Sequence, residues 1–305
     1  MTRSSKKGLA VSVAAIAMVV GVSFAYRPLL GWWVHHNALA LPCECAFIEI
    51  LVIEPSSIAY HPLRRTLLVA SDQGSLAELN DRFELIGRYE VLGDLEGIEV
   101  HPRRGSVYLT SEEDNAILEY DLEQRRVLRT LIVDFPSCHE LETKVADNRG
   151  LEGVCFVPDG DGMTRMYAVV EARPPRLIEL AGGREAAAPE AIAGRFGAKQ
   201  IGTIELLSVK QVIDIGVDGL SDVIYVPQLD RLVIVSSENR IGIICRTDGT
   251  IERRFRLPGK KPEGLAFLPG GDLLVVEDTG GLWRLTSGLK AVARLADARI
   301  TAFEK

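Results

Sequence analysis

A short unit that recurs five times along the chain constrains the fold more than any other feature. The second copy runs from Asp94 to Pro102 and continues from Val107 to Glu112. It holds an acidic residue, alternating apolar positions, proline, a turn and a second apolar run, the pattern of a two-stranded hairpin. Self-similarity on this scale predicts a modular fold. The five copies begin at Ser56, Glu96, Glu152, Ser221 and Glu263.

Each copy continues into a third apolar run and usually a fourth, for example residues 117–120 and 126–133. Four strands per unit are the content of a propeller blade, and helical periodicity is nearly absent, so we predict an all-β fold, a β-propeller. Insertions at residues 135–149 and around 182–199 explain the longer intervals, and motif counting then gives five blades. Dividing the roughly 260 residues after position 45 by about 43 per blade gives six as the alternative. Residues 47–53 form a further predicted strand, which we expect to join the last blade and close the ring.

The N-terminus reads as a targeting segment. Arg3, Lys6 and Lys7 precede the uncharged apolar run at residues 8–25, which is close to the ~20 residues needed to span a bilayer. We predict a signal anchor and linker over residues 1–45, taking no part in the propeller, and a propeller domain over 46–305. The positive-inside rule places the N-terminus in the cytoplasm and the propeller outside it. The alternative is cleavage after residue 25 or 40, which would release the propeller.

The net charge is -7 and the isoelectric point is near 5.4, which argues against a nucleic-acid partner because no basic surface is available to neutralise phosphates. Five cysteines leave at least one unpaired. Cys155 and Cys245 fall inside predicted strands and are expected in the core. Cys43 and Cys45 resemble half a metal site, but no second pair of ligands supports it.

Two columns of acidic residues recur with the repeat. In each hairpin the start of the first strand lies beside the end of the second, so both columns are expected on one face, around one mouth of the central channel. The first column holds Glu96, Glu152 and Glu263, with Ser56 and Ser221 at the equivalent places. The second column holds Asp72, Glu112, Glu238 and Asp278, with Glu171 displaced by one residue.

These carboxylates predict a metal site, most naturally for Ca²⁺, which takes six to eight oxygen ligands. The alternative is structural: each glutamate of a Glu-Gly pair accepts hydrogen bonds from backbone amides of the next blade and fixes its register. Recurrence in several blades favours this alternative, because a unique site needs residues that differ between blades. Both roles remain open at this stage.

The sequence predicts no catalytic residues. It contains no Gly-x-Ser-x-Gly, no His-Glu-x-x-His and no phosphate-binding loop before a helix. The insertion at residues 137–148 is acidic, contains His139, and is either a cover for the channel mouth or a solvated loop. His61 and His101 precede the proline of their repeats, where a turn role is expected. The basic residues near the right loops are Arg149, Arg173, Arg176 and Arg240, few for a phosphatase.

The Glu-Gly-Ile/Val/Leu repeats, their order and their spacing resemble the SdiA-regulated family, also called the YjiK/CarP family. Residues 107–114, the Glu152-Gly153-Val154 segment with residues 167–171, and residues 220–223 with 233–238 carry the resemblance, which covers about residues 46–286. It implies a bacterial, membrane-anchored, extracytoplasmic β-propeller, with some members linked to calcium homeostasis. It implies no catalytic residues. Ser56-Ser57 and Ser221-Asp222 stand where the pattern has Glu-Gly, which leaves the acidic ring incomplete.

These features predict a membrane-anchored binding or sensing module that binds Ca²⁺ at the channel mouth. The resemblance further implies a place on the periplasmic side of the bacterial inner membrane and a link to calcium homeostasis or envelope signalling. The expected partners are the metal ion, an envelope protein or small ligand, and the membrane through the N-terminal helix. If the anchor is cleaved, the protein is periplasmic or secreted. The alternative function is a Ca²⁺-dependent hydrolase, either a phytase-like phosphoesterase or a lactonase-like enzyme. A third is a structural scaffold in the envelope.

Overall fold

β-Strands form nearly all the regular structure in the described part of the chain. The computed structural model describes residues 31, 33–91, 93–101, 104–135, 150–159, 164–171, 175–185 and 202–297. A short helical stretch lies within residues 31–37. The other elements are β1 (Cys45–Glu49), β2 (Pro55–His61), β3 (Thr66–Ser71), β4 (Ser75–Leu79), β5 (Leu85–Glu90), β6 (Leu95–Val100), β7 (Val107–Ser111), β8 (Ala116–Asp121), β9 (Arg126–Val133), β10 (Leu151–Pro158), β11 (Thr164–Val170), β12 (Arg176–Glu185), β13 (Thr203–Asp214), β14 (Leu220–Val226), β15 (Arg231–Ser236), β16 (Ile241–Cys245), β17 (Ile251–Arg256), β18 (Pro262–Phe267), β19 (Leu273–Glu277), β20 (Gly281–Leu285) and α1 (Gly288–Asp297).

Four of the predicted repeats each form one antiparallel unit of four strands in chain order, and the fifth repeat supplies three strands of its unit. β2 to β5 and β14 to β17 are separate four-stranded sheets, and β18 to β20 take β1 as their fourth strand. β1 pairs with β20 from Cys45–Leu285 to Glu49–Gly281, which confirms that a strand before the first repeat joins the last unit. The structured strand is Cys45–Glu49 rather than residues 47–53.

The second and third units share one eight-stranded sheet, which the repeat did not predict. β13 pairs with β12 in the antiparallel sense and with β9 in the parallel sense, from Thr203–Arg129 to Leu207–Val133. This double pairing is possible because β13 has twelve residues and extends beyond the length of an ordinary blade strand. Part of the insertion expected around residues 182–199 is therefore regular strand, since β12 continues to Glu185.

The first strands of the five units lie side by side in a ring, β2 against β6, then β10, β14 and β18, and β18 returns to β2. Apolar side chains fill the space between each neighbouring pair of units, so five core clusters alternate with the five units. Apolar burial of this kind is the main stabilising contribution in an all-β fold. The arrangement is propeller-like and leaves only short strand edges at its rim.

Glycines in the first strands let neighbouring units approach closely. A Cβ atom on Gly153 would lie 2.5 Å from the Cα of Asp222, and one on Gly97 would lie 2.8 Å from the Cα of Gly153. A Cβ on Gly264 would lie 2.6 Å from the Cα of Ser57. The glycine of each Glu-Gly pair is therefore required by the spacing of the ring.

Part of the predicted linker packs on the propeller, although the sequence indicated that residues 1–45 stay apart from it. Val34 and Ala38 are buried in the core between the third and fourth units. Leu39 forms a parallel bridge with Phe255, accepting a hydrogen bond from the Arg256 amide at 2.8 Å. The predicted anchor run at residues 8–25 lies outside the described residues. Within the described part of the chain, no helix has the length and apolar character needed to cross a bilayer.

The cysteines and histidines lie where their positions in the repeat suggested. Cys155 and Cys245 are completely buried core residues, and Cys43 and Cys45 are unpaired thiols, whereas Cys138 lies outside the described residues. The His61 ring contacts the Gly105 carbonyl at 3.1 Å and accepts a hydrogen bond from the Arg64 amide. His61 thus holds a turn together, as predicted.

Candidate functional site

The first acidic column lies on a β-bulge that recurs in every unit. In each unit the pairing register between the first two strands shifts by one residue. The shifts lie at Pro55/Ser57, Leu95/Gly97, Leu151/Val154, Leu220/Asp222 and Pro262/Gly264. Ser56, Glu96, Glu152, Ser221 and Glu263 lie inside these shifts. A bulge bends its strand and redirects a side chain, and bulges are common beside functional sites.

The second column is fixed by one hydrogen bond that is repeated in all five units. The amide that follows each second strand donates to a carbonyl two residues before the bulged position. The donors are Asp72, Glu112, Glu171, Ser237 and Asp278. Glu171 is therefore in register with the other acids, and it is Glu238 that is displaced by one residue. Glu238 is exposed, with its side chain against Gly219. The predicted register reversed these two because it aligned residue types instead of strand ends.

The two columns meet in a cavity of about 160 Å³ at one mouth of the channel. Its carboxylates are Glu96, Glu112, Glu152, Glu171 and Glu263. Ser221, Ser237 and Lys261 complete the polar lining. Five of the eight predicted ligands thus share one cavity, whereas Asp72, Glu238 and Asp278 are not part of its lining.

Two groups of three carboxylates, called triads here, each have oxygens close enough together to hold an ion. Oxygen atoms of Asp94, Glu96 and Glu112 lie within 4.8 Å of one another, and so do oxygen atoms of Glu112, Glu152 and Glu171. Glu112 belongs to both triads and also accepts a hydrogen bond from the Gly150 amide at 2.9 Å. Glu112 and Glu152 are buried, with exposed fractions of 4% and 7%.

The sequence analysis missed two residues of this mouth, Asp94 and Lys261. Both lie two residues before the bulged glutamate, at the position whose carbonyl accepts the repeated hydrogen bond. The Lys261 ammonium is 2.9 Å from Glu263 Oε1 and 2.9 Å from Asp278 Oδ2. The signal was available as a third column of the repeat, which holds Glu54, Asp94, Gly150, Gly219 and Lys261.

Burial and mutual repulsion raise the pKa values of these acids. The pKa of Glu96 is raised to about 9, first by burial and then by Asp94, Glu112 and other nearby carboxylates. The same causes, burial first, raise the pKa of Glu152 well above its usual range. Burial also raises the pKa of Glu263 to about 7, although Lys261 opposes the shift. Packed carboxylates either hold protons or require a cation.

Asp72 lies close to this cluster without lining the cavity. Its pKa is raised to about 6 by burial, with repulsion from Glu54, Asp94 and Asp278. One of its oxygens, Oδ1, is buried and has no hydrogen-bond partner. An orphaned carboxylate oxygen is costly in a protein interior, so it points to an ion or water that belongs there.

The structural alternative for the glutamates finds limited support. Among the described residues, no backbone amide of a neighbouring unit donates to Glu96 or Glu152, and neither forms an ion pair. Two hydrogen bonds between units come instead from residues that replace the Glu-Gly pair. The Ser221 hydroxyl donates to the Glu263 carbonyl at 2.9 Å, and the Leu265 amide donates to the Asp222 carboxylate at 2.8 Å. Glycine and serine therefore set the spacing, which leaves Glu96 and Glu152 available for a ligand.

The basic residues expected beside a phosphate site are not gathered here. Arg176 is 3.3 Å from Asp214, and Arg240 is exposed. Arg149, Arg173 and the insertion at residues 137–148 lie outside the described residues. Lys261 is the one basic residue that lines the cavity within the described part of the chain.

The fold and the channel mouth define an all-β protein of the propeller-like class. A gluconolactonase from Xanthomonas campestris is similar in structure, with a TM-score of 0.50 and 12% identity over 81% of this chain and 91% of that chain. A streptogramin B lyase gives a TM-score of 0.44 and 9% identity over 80% of this chain and 97% of that chain. No curated protein matches the sequence. Residues 46–277 match the SdiA-regulated family, and the chain belongs to that family, as its repeats predicted.

Proposed function

We propose that this protein is a membrane-anchored, extracytoplasmic binding or sensing module that takes up Ca²⁺ at its acidic channel mouth. The observation that carries the proposal is the convergence of carboxylates from different units on one small cavity, with two triads whose oxygens lie within 4.8 Å. Burial makes these negative charges unfavourable in the absence of a cation, as the raised pKa of Glu96 reflects.

The donor set suits a hard divalent cation. Ca²⁺ binds oxygen ligands at about 2.3 to 2.6 Å, so two oxygens on opposite sides of one ion are up to about 5 Å apart. Both triads meet this limit, and Glu112 belongs to each. Mg²⁺ demands a strict octahedron and gives up its water ligands reluctantly, so a cluster made mainly of carboxylates suits Ca²⁺ better.

Membrane attachment and location are part of the same proposal. They are supported by the basic flank and uncharged run at residues 3–25 and by membership of the SdiA-regulated family. We place the propeller on the periplasmic side of the bacterial inner membrane, with a role in calcium homeostasis or envelope signalling and with an envelope protein or small ligand as partner.

We also infer that the propeller has five blades. The inference is supported by five units of four strands, by the ring of five first strands, and by a core cluster between each neighbouring pair. A sixth blade would need four further strands, and every strand in the described residues already belongs to one of the five units.

Thermal unfolding of the full chain in mild detergent tests the metal site. A ligand present at 100 times its dissociation constant stabilises the folded state by about 2.7 kcal/mol, which is a shift of several degrees. We expect Ca²⁺ to raise the midpoint relative to EDTA and Mg²⁺ to have a smaller effect at the same concentration. If the midpoints in Ca²⁺ and EDTA coincide, the carboxylates do not form a calcium site.

A second candidate is metal-dependent hydrolysis, favoured by the carboxylates of the cavity, which could hold a metal ion that polarises a substrate carbonyl. With one basic residue in the described lining, a lactone is a better substrate class than a phosphate ester. Turnover of gluconolactone in Ca²⁺ that is lost in Glu96→Gln would establish this activity. Calcium binding without turnover favours the binding module.

A further inference from the structure

The other end of the channel holds a second cavity, of about 380 Å³, at the far ends of the first strands. Four of the five units contribute to its lining, and Leu289 of α1 closes one side. Most of the surface is apolar, and Tyr60, Tyr225 and Phe267 supply three aromatic rings. The volume is in the range of about 300 to 1,000 Å³ that is usual for small-molecule sites.

Glu99 is the one charged side chain among the residues that line this cavity in the described chain. Glu99 has no counterpart in the repeat, because the equivalent positions hold Ala59, Cys155, Ile224 and Ala266. A residue that breaks the repeat at a cavity is not explained by blade architecture. It gives this end of the channel a single carboxyl group that can ionise.

The Glu99 carboxylate lacks a counterion among the described residues. The hydrogen bond to its carboxylate comes from the amide of the next residue, Val100, at 3.0 Å. The nearby Asp222 differs, since its two oxygens accept hydrogen bonds from the Val223 and Leu265 amides, both at 2.8 Å. Asp222 is thus engaged between strands, whereas Glu99 faces the cavity. A half-buried carboxylate in a mostly apolar lining is stable as an anion only when a cation or several donors accompany it.

We propose that this apolar cavity binds a small organic ammonium ion, with the ammonium group on Glu99 and the apolar body against Tyr60, Tyr225 and Phe267. Charge complementarity selects a cation, and the aromatic faces add cation-π attraction. The apolar lining selects an organic cation over a hydrated metal ion, because a metal would leave most of its ligand positions facing carbon. This site is independent of the acidic mouth and of its proposed Ca²⁺.

Calorimetric titration of the full chain with benzylamine, in EDTA, tests the proposal. We expect one saturable site, at least about tenfold weaker binding of the neutral analogue benzyl alcohol, and a similar loss in Glu99→Gln. Glu96→Gln, which changes the opposite mouth, is the matched control and keeps normal binding. Absence of saturable binding overturns the proposal. So does binding that survives in Glu99→Gln but is lost in Glu96→Gln, because the amine would then occupy the acidic mouth.

Proton release gives a second readout that folding defects do not imitate. Burial, with repulsion from Asp222, raises the pKa of Glu99 to about 8, so Glu99 is mostly protonated at pH 7. An ammonium ion favours the charged carboxylate, so its binding at pH 7 should release a proton and tighten as the pH rises to about 8. Asp222 on β14 and Cys155 on β10 are the titratable groups electrostatically linked to Glu99, and Tyr60 and Tyr225 share the cavity. Glu99→Gln should abolish the release, and release that persists in that variant contradicts the proposal.

Discussion

The ammonium nitrogen of Lys261 lies 2.9 Å from the Asp278 carboxylate, which puts a positive charge on the fifth-unit side of the acidic mouth. On the side of the fifth unit, Lys261 also contacts Glu263 at 2.9 Å. On the side of the second unit, Asp94 takes the position equivalent to Lys261 and joins a carboxylate triad. The lysine thus neutralises one side, and a bound cation would neutralise the other.

Replacing Lys261 by glutamine should increase the response to Ca²⁺. Loss of the ammonium leaves Glu263 and Asp278 without this partner, so in EDTA at pH 8 we expect a loss of about 1 kcal/mol, or a few degrees in melting temperature. The Ca²⁺-induced shift should grow, because more negative charge faces the ion. Lys260→Gln, one residue earlier and exposed, is the control. Equal responses in the two variants would contradict this role of Lys261.

Glu152→Gln should remove most of the Ca²⁺-induced shift in melting temperature. The substitution keeps the size of the side chain while removing a carboxylate that lies in a triad and is 7% exposed. Glu238→Gln should leave the shift unchanged, since Glu238 is exposed and displaced from the second column. Thermal unfolding in EDTA and in Ca²⁺ compares the two variants. A larger effect at Glu238 would show that the repeated backbone register does not define the site.

In EDTA, the melting temperature should fall as the pH rises from 7 to 9. The pKa of Glu96 is about 9 in the folded protein, against about 4.3 for an unfolded glutamate. The folded protein therefore holds a proton that the unfolded chain has lost, and the free energy of unfolding decreases until the folded carboxyl also ionises. The raised pKa of Glu99 also makes the free energy of unfolding decrease as the pH rises. The pKa of His61 is lowered, so His61 changes the free energy of unfolding only below this pH interval.

Glu96→Gln isolates that contribution. We expect a flatter dependence on pH in the variant than in the wild type, and saturating Ca²⁺ should reduce the slope of the wild type because the ion stabilises the charged carboxylates. Melting temperatures at three pH values, with and without Ca²⁺, are sufficient. Identical slopes for the two proteins would refute the raised pKa.

Gly153→Ala should destabilise the ring by about 1 to 3 kcal/mol, the usual effect of adding a methyl group to a filled interior. The new Cβ would lie 2.5 Å from the Asp222 Cα, a main-chain atom that cannot rotate away. Gly270→Ala is the control, because no atom lies within 4 Å of its added Cβ and its φ is not positive. Denaturant unfolding measures both. Equal stabilities would mean that the first strands can move apart without loss.

The repeat predicted the fold because each unit carries its own periodic signal. Hairpins, third strands and the closing strand all follow from local alternation, and β9 has the predicted bounds of residues 126–133. The parallel pairing of β13 with β9 could not be predicted, since no local pattern specifies which edge a long strand will find. The same holds for Val34 and Ala38, whose burial depends on a groove formed by distant residues.

The sequence predicted the chemistry of the candidate site, a cluster of carboxylates, but only some of the residues that form it. Glu96, Glu152 and Glu263 could be identified from the sequence alone, because glutamate recurs at the same position of three repeats. In the second column the strand register decides which residues line the cavity. Glu171 lines it and Glu238 does not, because the end of the second strand, and not the residue type, determines which side chain points inward. Asp94 and Lys261 were missed because their column varies from acid to glycine to base, which conceals a shared position.

The parallel ladder between β13 and β9 gives the ring one unusual seam. In the described chain, the other boundaries between units are closed by side-chain packing and isolated side-chain hydrogen bonds, but this boundary carries a continuous backbone ladder from Thr203–Arg129 to Leu207–Val133. Separating the second unit from the third would break several backbone hydrogen bonds together. Breathing motions of the native ring should therefore begin elsewhere, and the amides of this seam should be among the last to exchange with solvent deuterium.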